Sequence, residues 1–200
     1  MIRIRIDYND KLQNILIRMN AIETKLKGCF ILEPKVFDDS RGYFFESFNE
    51  ENFERLTGQN GHFVQDNQSS STYGVVRGLH FQKGEYAQAK LVRVLEGSVL
   101  DVAVDIRENS ATFGQWISIE LSESNNRQLY IPRGFAHGFS VLSETAVFAY
   151  KCDNKYHKES EGGIKYNDPD LNIDWGIPDV SMVLSDKDDI LPFLKECSLN

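Results

Sequence analysis

The sequence predicts a mainly β fold, a barrel or sandwich with a few short helices. Short runs of strand-forming residues alternate with turn residues from Cys29 onward, and helical periodicity is scarce over the same region. With 200 residues, of which 41% are hydrophobic, the chain can bury one good core, and no repeat or linker divides it. One globular domain is therefore expected. The predicted strands are 29–37, 43–48, 62–68, 74–80, 88–96, 98–106, 115–121, 127–132, 136–142 and 145–152.

The first part of the chain, residues 1–27, has a different pattern. It begins with the alternating sequence IRIRI, which is typical of a short strand, and its apolar residues then recur at helical spacing between Leu12 and Leu26. This pattern suits an extra amphipathic element. It suits equally well an upstream extension from a mis-assigned start, because the sequence from Met19 resembles a natural beginning. We therefore divide the chain into an N-terminal extension, 1–27, and a single domain, 28–200.

Two short helices are predicted within the domain. Asn49 can cap a helix that begins with two glutamates and that Gly58 ends, because Asn favours the N-cap and Gly the left-handed C-terminal position. The second candidate is the stretch DKDDILPFLKEC, 186–197, which Pro192 interrupts because proline lacks the backbone N–H that a helix needs.

The clearest strand signal is the stretch LVRVLEGSVLDVAVDI, residues 91–106. An apolar run precedes the pair Glu96-Gly97, and a second apolar run follows it. A glycine in a short connection supplies the backbone conformation that tight hairpin turns require. This stretch therefore predicts a β-hairpin.

Composition excludes several classes of partner and location. A formal net charge of −8 and the lack of a long Lys/Arg block argue against nucleic acid or an anionic membrane as the main partner. No apolar stretch reaches the roughly 20 residues of a membrane span, and the N-terminus lacks the apolar core of a signal peptide. Cys29, Cys152 and Cys197 show no paired close spacing, so we interpret them as ordinary thiols in a reducing compartment. The chain is expected to be cytoplasmic.

Two histidines follow strand-like segments. His80 ends the stretch GVVRGLH, and His137 lies in YIPRGFAHGF, whose Pro-x-Gly-x-x-His spacing resembles the second half of the cupin signature. Metal-binding cupins have a His-x-His pair in the first half, whereas this chain has Gln82 two residues after His80 and then Lys90. An ammonium group has no lone pair for a metal. The resemblance thus implies a cupin-type double-stranded β-helix, or jelly-roll barrel, without a metal site.

Three cations, Arg41, Arg77 and Lys90, lie among apolar strand runs of an acidic protein. They can occupy solvent-facing strand positions, and a single histidine such as His80 can equally be a core residue bonded to backbone. If Arg77 and Lys90 face the barrel interior with no carboxylate beside them, an anionic ligand is implied, because an unpaired buried charge is unfavourable.

The chain resembles the dTDP-4-dehydrorhamnose 3,5-epimerase family from about residue 28 to residue 193. Eight motifs occur in the family's order, and residues 1–27 lie outside the resemblance. The motifs are DDSRGYFFESFN (38–49), FVQDNQSSS (63–71), GVVRGLHFQ (74–82), AKLVRVLEGSVLDVAVDIR (89–107), TFGQWISIEL (112–121), YIPRGFAHGF (130–139), EGGIKYNDPDLNIDW (161–175) and LSDKD (184–188).

The resemblance implies roles for individual residues. His80 matches the catalytic base, and Asp188 matches the acid that orients it, although Asp186 and Asp189 are close in sequence. Tyr150 matches the acid that protonates the opposite face of the sugar. Lys90 matches the residue beside the ketone oxygen, and Tyr156 matches part of the sugar pocket. The positions that match residues holding the nucleotide-sugar are Arg41, Glu46, Gln65, Asn67, Arg77, His137 and Glu161.

The implied reaction agrees with these residue types. Carbons 3 and 5 of a dTDP-4-keto-6-deoxyhexose both flank the keto group, so removal of a proton from either makes an enolate on the same oxygen. The ketone already acidifies these protons, and we expect no cofactor; the lack of a Gly-rich dinucleotide fingerprint agrees. The resemblance also implies a homodimer. The alternatives are an epimerase of one carbon only, a metal-dependent cupin oxygenase and a non-catalytic sugar-binding barrel.

Overall fold

The computed structural model describes residues 18–199, and within this range the chain is mainly β. It contains thirteen strands, two short α-helices and four 3₁₀ turns. The strands are β1 Met19–Glu23, β2 Phe30–Pro34, β3 Phe37–Asp39, β4 Gly42–Phe44, β5 Gln65–Thr72, β6 Val76–Gln82, β7 Lys90–Glu96, β8 Ser98–Asp105, β9 Trp116–Ser122, β10 Gln128–Ile131, β11 Phe135–Val141, β12 Thr145–Cys152 and β13 Glu161–Gly163; the helices are α1 Glu50–Thr57 and α2 Asp186–Asp189; the 3₁₀ turns are Gly84–Tyr86, Lys158–Ser160, Asp179–Ser181 and Leu194–Glu196.

The strands form two main antiparallel sheets. One sheet has the order β1-β2-β10-β7-β12-β5, the other has the order β13-β6-β11-β8-β9, and β3 and β4 form a separate hairpin. Every described pair of neighbouring strands is antiparallel. The mainly β architecture predicted from the sequence is confirmed.

An apolar core fills one part of the space between the two sheets. Side chains alternate between the two faces of a strand, so every second residue points into this space. Val92 and Phe148 from one sheet pack there with Val99, Phe135 and Phe139 from the other. The rings of Phe139 and Phe148 stack with their centroids 4.2 Å apart. The polar side chains that point into the barrel therefore lie in the part of this space that the apolar core does not fill.

The outer faces of both sheets are also covered. On the first sheet, Phe53 of α1 packs with Leu32 and Leu91. On the second sheet, Leu79 of β6 packs in one cluster with Ile164 and Trp175, which both belong to the C-terminal segment. The segment that follows β13 therefore folds back across β6, and this return brings the C-terminal motif to the strand that carries His80.

Most of the predicted elements occur with small shifts at their ends. α1 begins after Asn49, whose side chain accepts a hydrogen bond from the Asn52 N–H, and it ends at Gly58 in the left-handed conformation with φ 67°. β7 and β8 form where the sequence predicts them, and the chain turns between them at Gly97, with φ 76°. The predicted hairpin is wrong, however, because β7 pairs in the six-stranded sheet and β8 in the five-stranded sheet. The second predicted helix forms only over Asp186–Asp189.

A further prediction about local structure is wrong, and one strand was missed. The helical spacing that includes Met19, Ile22 and Leu26 does not produce a helix, because residues 19–23 form β1 and pair antiparallel with β2. Leu26 is fully buried in the core between the sheets. The first sheet therefore includes residues that the sequence grouped with the N-terminal extension, while 1–17 lie outside the described residues. Strand β13 was not predicted, and it forms by pairing with β6.

The two α-helices of the described range are short. Neither α-helix in the described range, eight and four residues long, has the length and apolar character needed to cross a bilayer.

We expect Gly97→Ala to destabilise the protein by about 2–6 kcal/mol, because a positive φ and an overpacked contact each cost about 1–3 kcal/mol. A Cβ at Gly97 would overlap the carbonyl oxygen of Thr145. Gly84→Ala is the matched control, since Gly84 has φ 57° and nothing within 4 Å of its added Cβ; it should cost only about 1–2 kcal/mol. Urea unfolding measures both, and equal losses would contradict the prediction.

Candidate active site

A cavity of about 310 Å³ lies at the polar end of the space between the two sheets. Strands of both sheets contribute to its wall, β5, β7 and β12 from one and β6 and β13 from the other. Many of the predicted site residues lie on this wall. The lining residues are Gln65, Asn67, His80, Phe81, Gln82, Gln88, Lys90, Tyr150, Cys152, Tyr156 and Glu161.

His80 and Asp188 form a hydrogen-bonded pair at the cavity. The Nε2 of His80 lies 2.7 Å from Oδ1 of Asp188, whose side chain is only 5% exposed. Asp188 belongs to α2, and its backbone N–H donates to Oγ of Ser185, the N-cap of that helix. Asp186 and Asp189 are exposed. The structure therefore identifies Asp188 as the acidic partner among the neighbouring aspartates.

The ionisation state of Asp188 determines whether His80 has a free ring nitrogen that can act as a base. Burial by itself raises the pKa of this carboxyl, but the hydrogen bond to His80 and the histidine's charge outweigh burial and hold the pKa below its ordinary value. An ionised Asp188 accepts the Nε2–H of His80. The other ring nitrogen, Nδ1, then carries the lone pair with which a histidine acts as a base.

Lys90 and Tyr150 lie together on the wall opposite His80. The Nζ of Lys90 is 6.0 Å from the centre of the Tyr150 ring. Burial lowers the pKa of Lys90 and raises that of Tyr150, so the tyrosine keeps its phenolic proton at neutral pH. Tyr150 is on β12 of the six-stranded sheet, whereas His80 is on β6 of the five-stranded sheet. A proton donor and a base thus face one cavity from opposite sheets.

The cavity mouth holds a polar cluster of Tyr156, Glu161 and Lys187. The Tyr156 hydroxyl donates to Oε2 of Glu161 at 3.0 Å, and Lys187 pairs with the other carboxylate oxygen. These contacts lower the pKa of Glu161 despite the opposing effect of burial. Sequence reasoning missed Lys187. The available signal was its position beside Asp188 in the motif LSDKD.

Gln65 and Asn67 connect the wall of the cavity to the loop after β12. The Gln65 Nε2 donates to Oδ1 of Asn67 at 3.0 Å, and its Oε1 accepts the backbone N–H of Tyr156 at 3.2 Å. Asn67 Nδ2 donates to Sγ of Cys152 at 3.8 Å. Gln65 therefore also holds the backbone of Tyr156, and Asn67 in turn holds the side chain of Gln65.

Arg77 lies on β6, three residues before His80. Its Nε donates to Oγ of Ser71 at 3.0 Å, and within residues 18–199 it makes no ion pair. Arg77 is exposed. Its guanidinium is thus open to an anion, but because it is exposed, the burial argument made for an inward cation does not apply to Arg77.

His137 lies behind the cavity and pairs with an aspartate that sequence reasoning missed. Its Nε2 is 2.9 Å from Oδ2 of Asp101, and both residues are buried. His137 and His80 are direct partners across β11 and β6. Asp101 is a lone carboxylate inside the apolar run SVLDVAV, residues 98–104, and this was the available signal. The sequence analysis treated the residue only as part of a strand.

The similarity of the chain to known proteins identifies its family. A family model described as dTDP-4-dehydrorhamnose 3,5-epimerase matches residues 23–196. The dTDP-4-dehydrorhamnose 3,5-epimerase of Escherichia coli K12 is 55% identical over 179 residues, which are 89% of this chain and 96% of that protein. This chain belongs to the dTDP-4-dehydrorhamnose 3,5-epimerase family.

Solved structures of epimerases from this family match the whole barrel. The enzyme of Elizabethkingia anophelis NUHP1 matches with a TM-score of 0.87 and 64% identity, covering 90% of this chain and 98% of that one. The enzyme of Legionella pneumophila, in complex with dTDP-4-keto-L-rhamnose, matches with a TM-score of 0.86 and 52% identity, covering 90% and 95%. The predicted cupin-type fold is confirmed by these neighbours.

The structure does not bring every predicted residue of the epimerase site to the cavity. The side chain of Arg41 is 87% exposed on the β3–β4 hairpin and pairs with Asp39. Glu46 accepts a hydrogen bond from Nδ2 of Asn52 and pairs with Arg18. Within this chain neither residue lines the cavity, and their contact with substrate stays a prediction.

The metal positions of other cupins are occupied by residues that do not suit a metal. The Gln82 carbonyl accepts the backbone N–H of His157 at 3.0 Å, and Lys90 offers an ammonium group. Within residues 18–199, no three His, Cys, Asp or Glu side chains are grouped so that they could hold a metal ion.

Proposed function

We propose that this protein is a cofactor-independent epimerase. It inverts carbons 3 and 5 of a dTDP-4-keto-6-deoxyhexose and converts dTDP-4-dehydro-6-deoxy-D-glucose into dTDP-4-dehydro-L-rhamnose, in dTDP-L-rhamnose biosynthesis. The observation that carries this proposal is the convergence of His80, Lys90 and Tyr150 on one cavity, with Asp188 bonded behind the histidine. The three free cysteines support a cytoplasmic, reducing location.

Proton removal is the first step, and His80 suits it. Its Nδ1 lone pair accepts the proton from carbon 3 or carbon 5, and the carboxylate of Asp188 stabilises the imidazolium that forms. Both carbons flank the same ketone, so the negative charge develops on one oxygen in either case. One base and one oxyanion site therefore serve both inversions.

Lys90 supplies the oxyanion site. Its buried ammonium lies on the cavity wall, where a positive charge stabilises an enolate oxygen more strongly than it would in water. Removing one such donor costs about 2.7–4 kcal/mol of transition-state stabilisation in other enzymes. Because the ketone and Lys90 together stabilise the carbanion, the reaction needs no cofactor.

Inversion requires that a proton arrive on the opposite face of the sugar. His80 alone can only return the proton to the face from which it was taken. Tyr150 lies on the opposite sheet and keeps its phenolic proton, so a sugar ring held between the two residues is protonated from the other side. Arg77, which has no ion pair of its own in the described part of the chain, suits the pyrophosphate by bidentate hydrogen bonding.

The experiment that tests this function is incubation of the purified protein with dTDP-4-keto-6-deoxyglucose in deuterated water. We expect NMR to show deuterium incorporation and inversion of configuration at both carbon 3 and carbon 5. Label at one carbon only would reveal a single-carbon epimerase. No exchange at either carbon would contradict the proposed function.

Tyr150→Phe tests the two-face arrangement. The change deletes the phenolic proton but keeps the aromatic ring, so the packing against Phe148 is expected to survive. In deuterated water this variant should still incorporate label through His80 while returning mostly uninverted sugar. Equal losses of exchange and inversion would show that Tyr150 is not the opposite-face acid.

Asp188→Asn should lower turnover by about 10²–10⁴-fold, because an amide neither stabilises the imidazolium of His80 nor fixes its tautomer. Asp186→Asn is the matched control, since Asp186 lies on the same helical turn but is exposed. Its turnover should stay within about twofold of wild type. Steady-state rates of both variants measure this, and a larger loss in Asp186→Asn would reassign the acidic partner.

We also propose that the protein is a homodimer. The β3–β4 hairpin exposes the aromatic residues Phe37, Tyr43 and Phe44, which is apolar area that a second subunit can cover. The same hairpin carries Arg41, which does not reach the cavity of its own chain. In a symmetric dimer each subunit would present its hairpin to the other, and Arg41 would then contact the partner's substrate.

Subunit complementation tests this arrangement. Arg41→Ala and His80→Asn are each expected to impair activity, and both proteins are unfolded, mixed equally and refolded together. If Arg41 acts across the dimer, half of the dimers are mixed and each has one intact site, so about a quarter of wild-type activity should return. Light scattering measures the molar mass of the protein in solution and so shows whether it is a dimer. A monomer, or a mixture no more active than its parents, would contradict the proposal.

A further inference from the structure

Asp101 is a fully buried carboxylate in the wall of the barrel. It lies on β8 inside an apolar run, and its Oδ2 bonds to Nε2 of His137 at 2.9 Å. Its other oxygen, Oδ1, has no hydrogen-bond partner among residues 18–199. A buried carboxylate with an unpaired oxygen is unfavourable for folding. An apolar residue would serve packing better at this position, which points to a role in the site.

Asp101 belongs to the charged surroundings of Lys90. The groups that influence the Lys90 ammonium are Asp101 from β8, Glu161 from β13 and Cys152 from β12. Burial raises the pKa of the Asp101 carboxyl, and the charge and hydrogen bond of His137 and the charge of Lys90 act against burial. Burial disfavours each isolated charge, while the opposite charges of Lys90 and Asp101 favour one another. Each charge is therefore less unfavourable when the other is present.

We propose that Asp101 is a positioning residue of the epimerase: it fixes the ring and the tautomer of His137 and balances the positive charge of Lys90. This proposal rests on the proposed function. With Asp101 ionised, His137 donates its Nε2–H, and its Nδ1 is left to accept a hydrogen bond from a sugar hydroxyl. His137 is neutral in this state, because burial lowers its pKa. The negative charge also keeps Lys90 protonated, as the enolate requires.

Asp101→Asn tests the proposal against a matched control on the same strand. Asp105 is equally buried on β8, but its carboxylate bonds with Arg107, Ser110 and Thr112, not with the cavity. Asp101→Asn should lower kcat/KM by about 10- to 100-fold, the usual range for a group that orients a functional histidine. Asp105→Asn should lower stability and leave kcat/KM within about twofold of wild type.

The pH dependence separates positioning from simple structural support. Without the negative charge of Asp101, Lys90 loses its proton at lower pH, so the alkaline decline of kcat/KM should begin at lower pH in Asp101→Asn. Cys152, Glu161, His80 and Tyr150 also face these groups, and they are unchanged in both variants. A profile that matches the wild type, or a loss equal to that of Asp105→Asn, would overturn the proposal.

A spectroscopic measurement keeps the test independent of variant folding and of turnover. In protein labelled with ¹⁵N-histidine, His137 should show a protonated Nε2 and an unprotonated Nδ1, with its signals assigned from a His137→Gln variant. A protonated Nδ1 would leave the ring no acceptor for a sugar hydroxyl, and the proposal would then be wrong. Wild-type protein without epimerase activity would instead contradict the proposed function, whatever the tautomer.

Discussion

The pairing of β6 with β11 is the constraint on which the candidate active site depends. It sets His80 directly opposite His137, and the register then shifts between His137 and Phe139. Two glycines allow this close approach, since a Cβ at Gly78 would lie 2.6 Å from the Cα of Gly138. A side chain at either position would push the strands apart. The two histidines would then separate from each other and from their carboxylates.

The interior of the barrel is organised by its charges as much as by its apolar core. His80 is hydrogen-bonded to Asp188, and the negative charge of Asp101 acts on Lys90, so burial of these charges is compensated in part by opposite ones. At the cavity mouth, the exposed Lys187 pairs with Glu161. Arg77 differs, because its described partner is the hydroxyl of Ser71. At one end of the site, charges of opposite sign thus lie near one another, and beside this end Arg77 is a cation that suits a phosphate group. This division matches a substrate with a neutral keto-sugar and an anionic pyrophosphate.

Local sequence signals failed where pairing between distant segments supplied the hydrogen bonds. Met19–Glu23 has helical spacing, yet it forms a strand because β2 offers it a sheet edge. Glu161–Gly163 has little strand propensity and forms β13 through its contact with β6. Asp101 was interpreted only as part of a strand, because the sequence does not show which face of a strand meets another charged group. Lys187 was passed over for a similar reason, since its partner Glu161 is 26 residues away.

The sequence by itself determined the mainly β class, most strands, the turn at Gly97 and the helix between Asn49 and Gly58, because turn glycines, caps and alternating hydrophobicity act over a few residues. Its motifs also indicated the residues of the cavity wall. Only the tertiary structure decided which aspartate meets His80, that Asp101 lies behind His137, and that Arg41 stays outside the cavity of its own chain. The physical reason is separation along the chain: His80 and Asp188 are 108 residues apart, and only the packing of the C-terminal segment across β6 brings them within 2.7 Å.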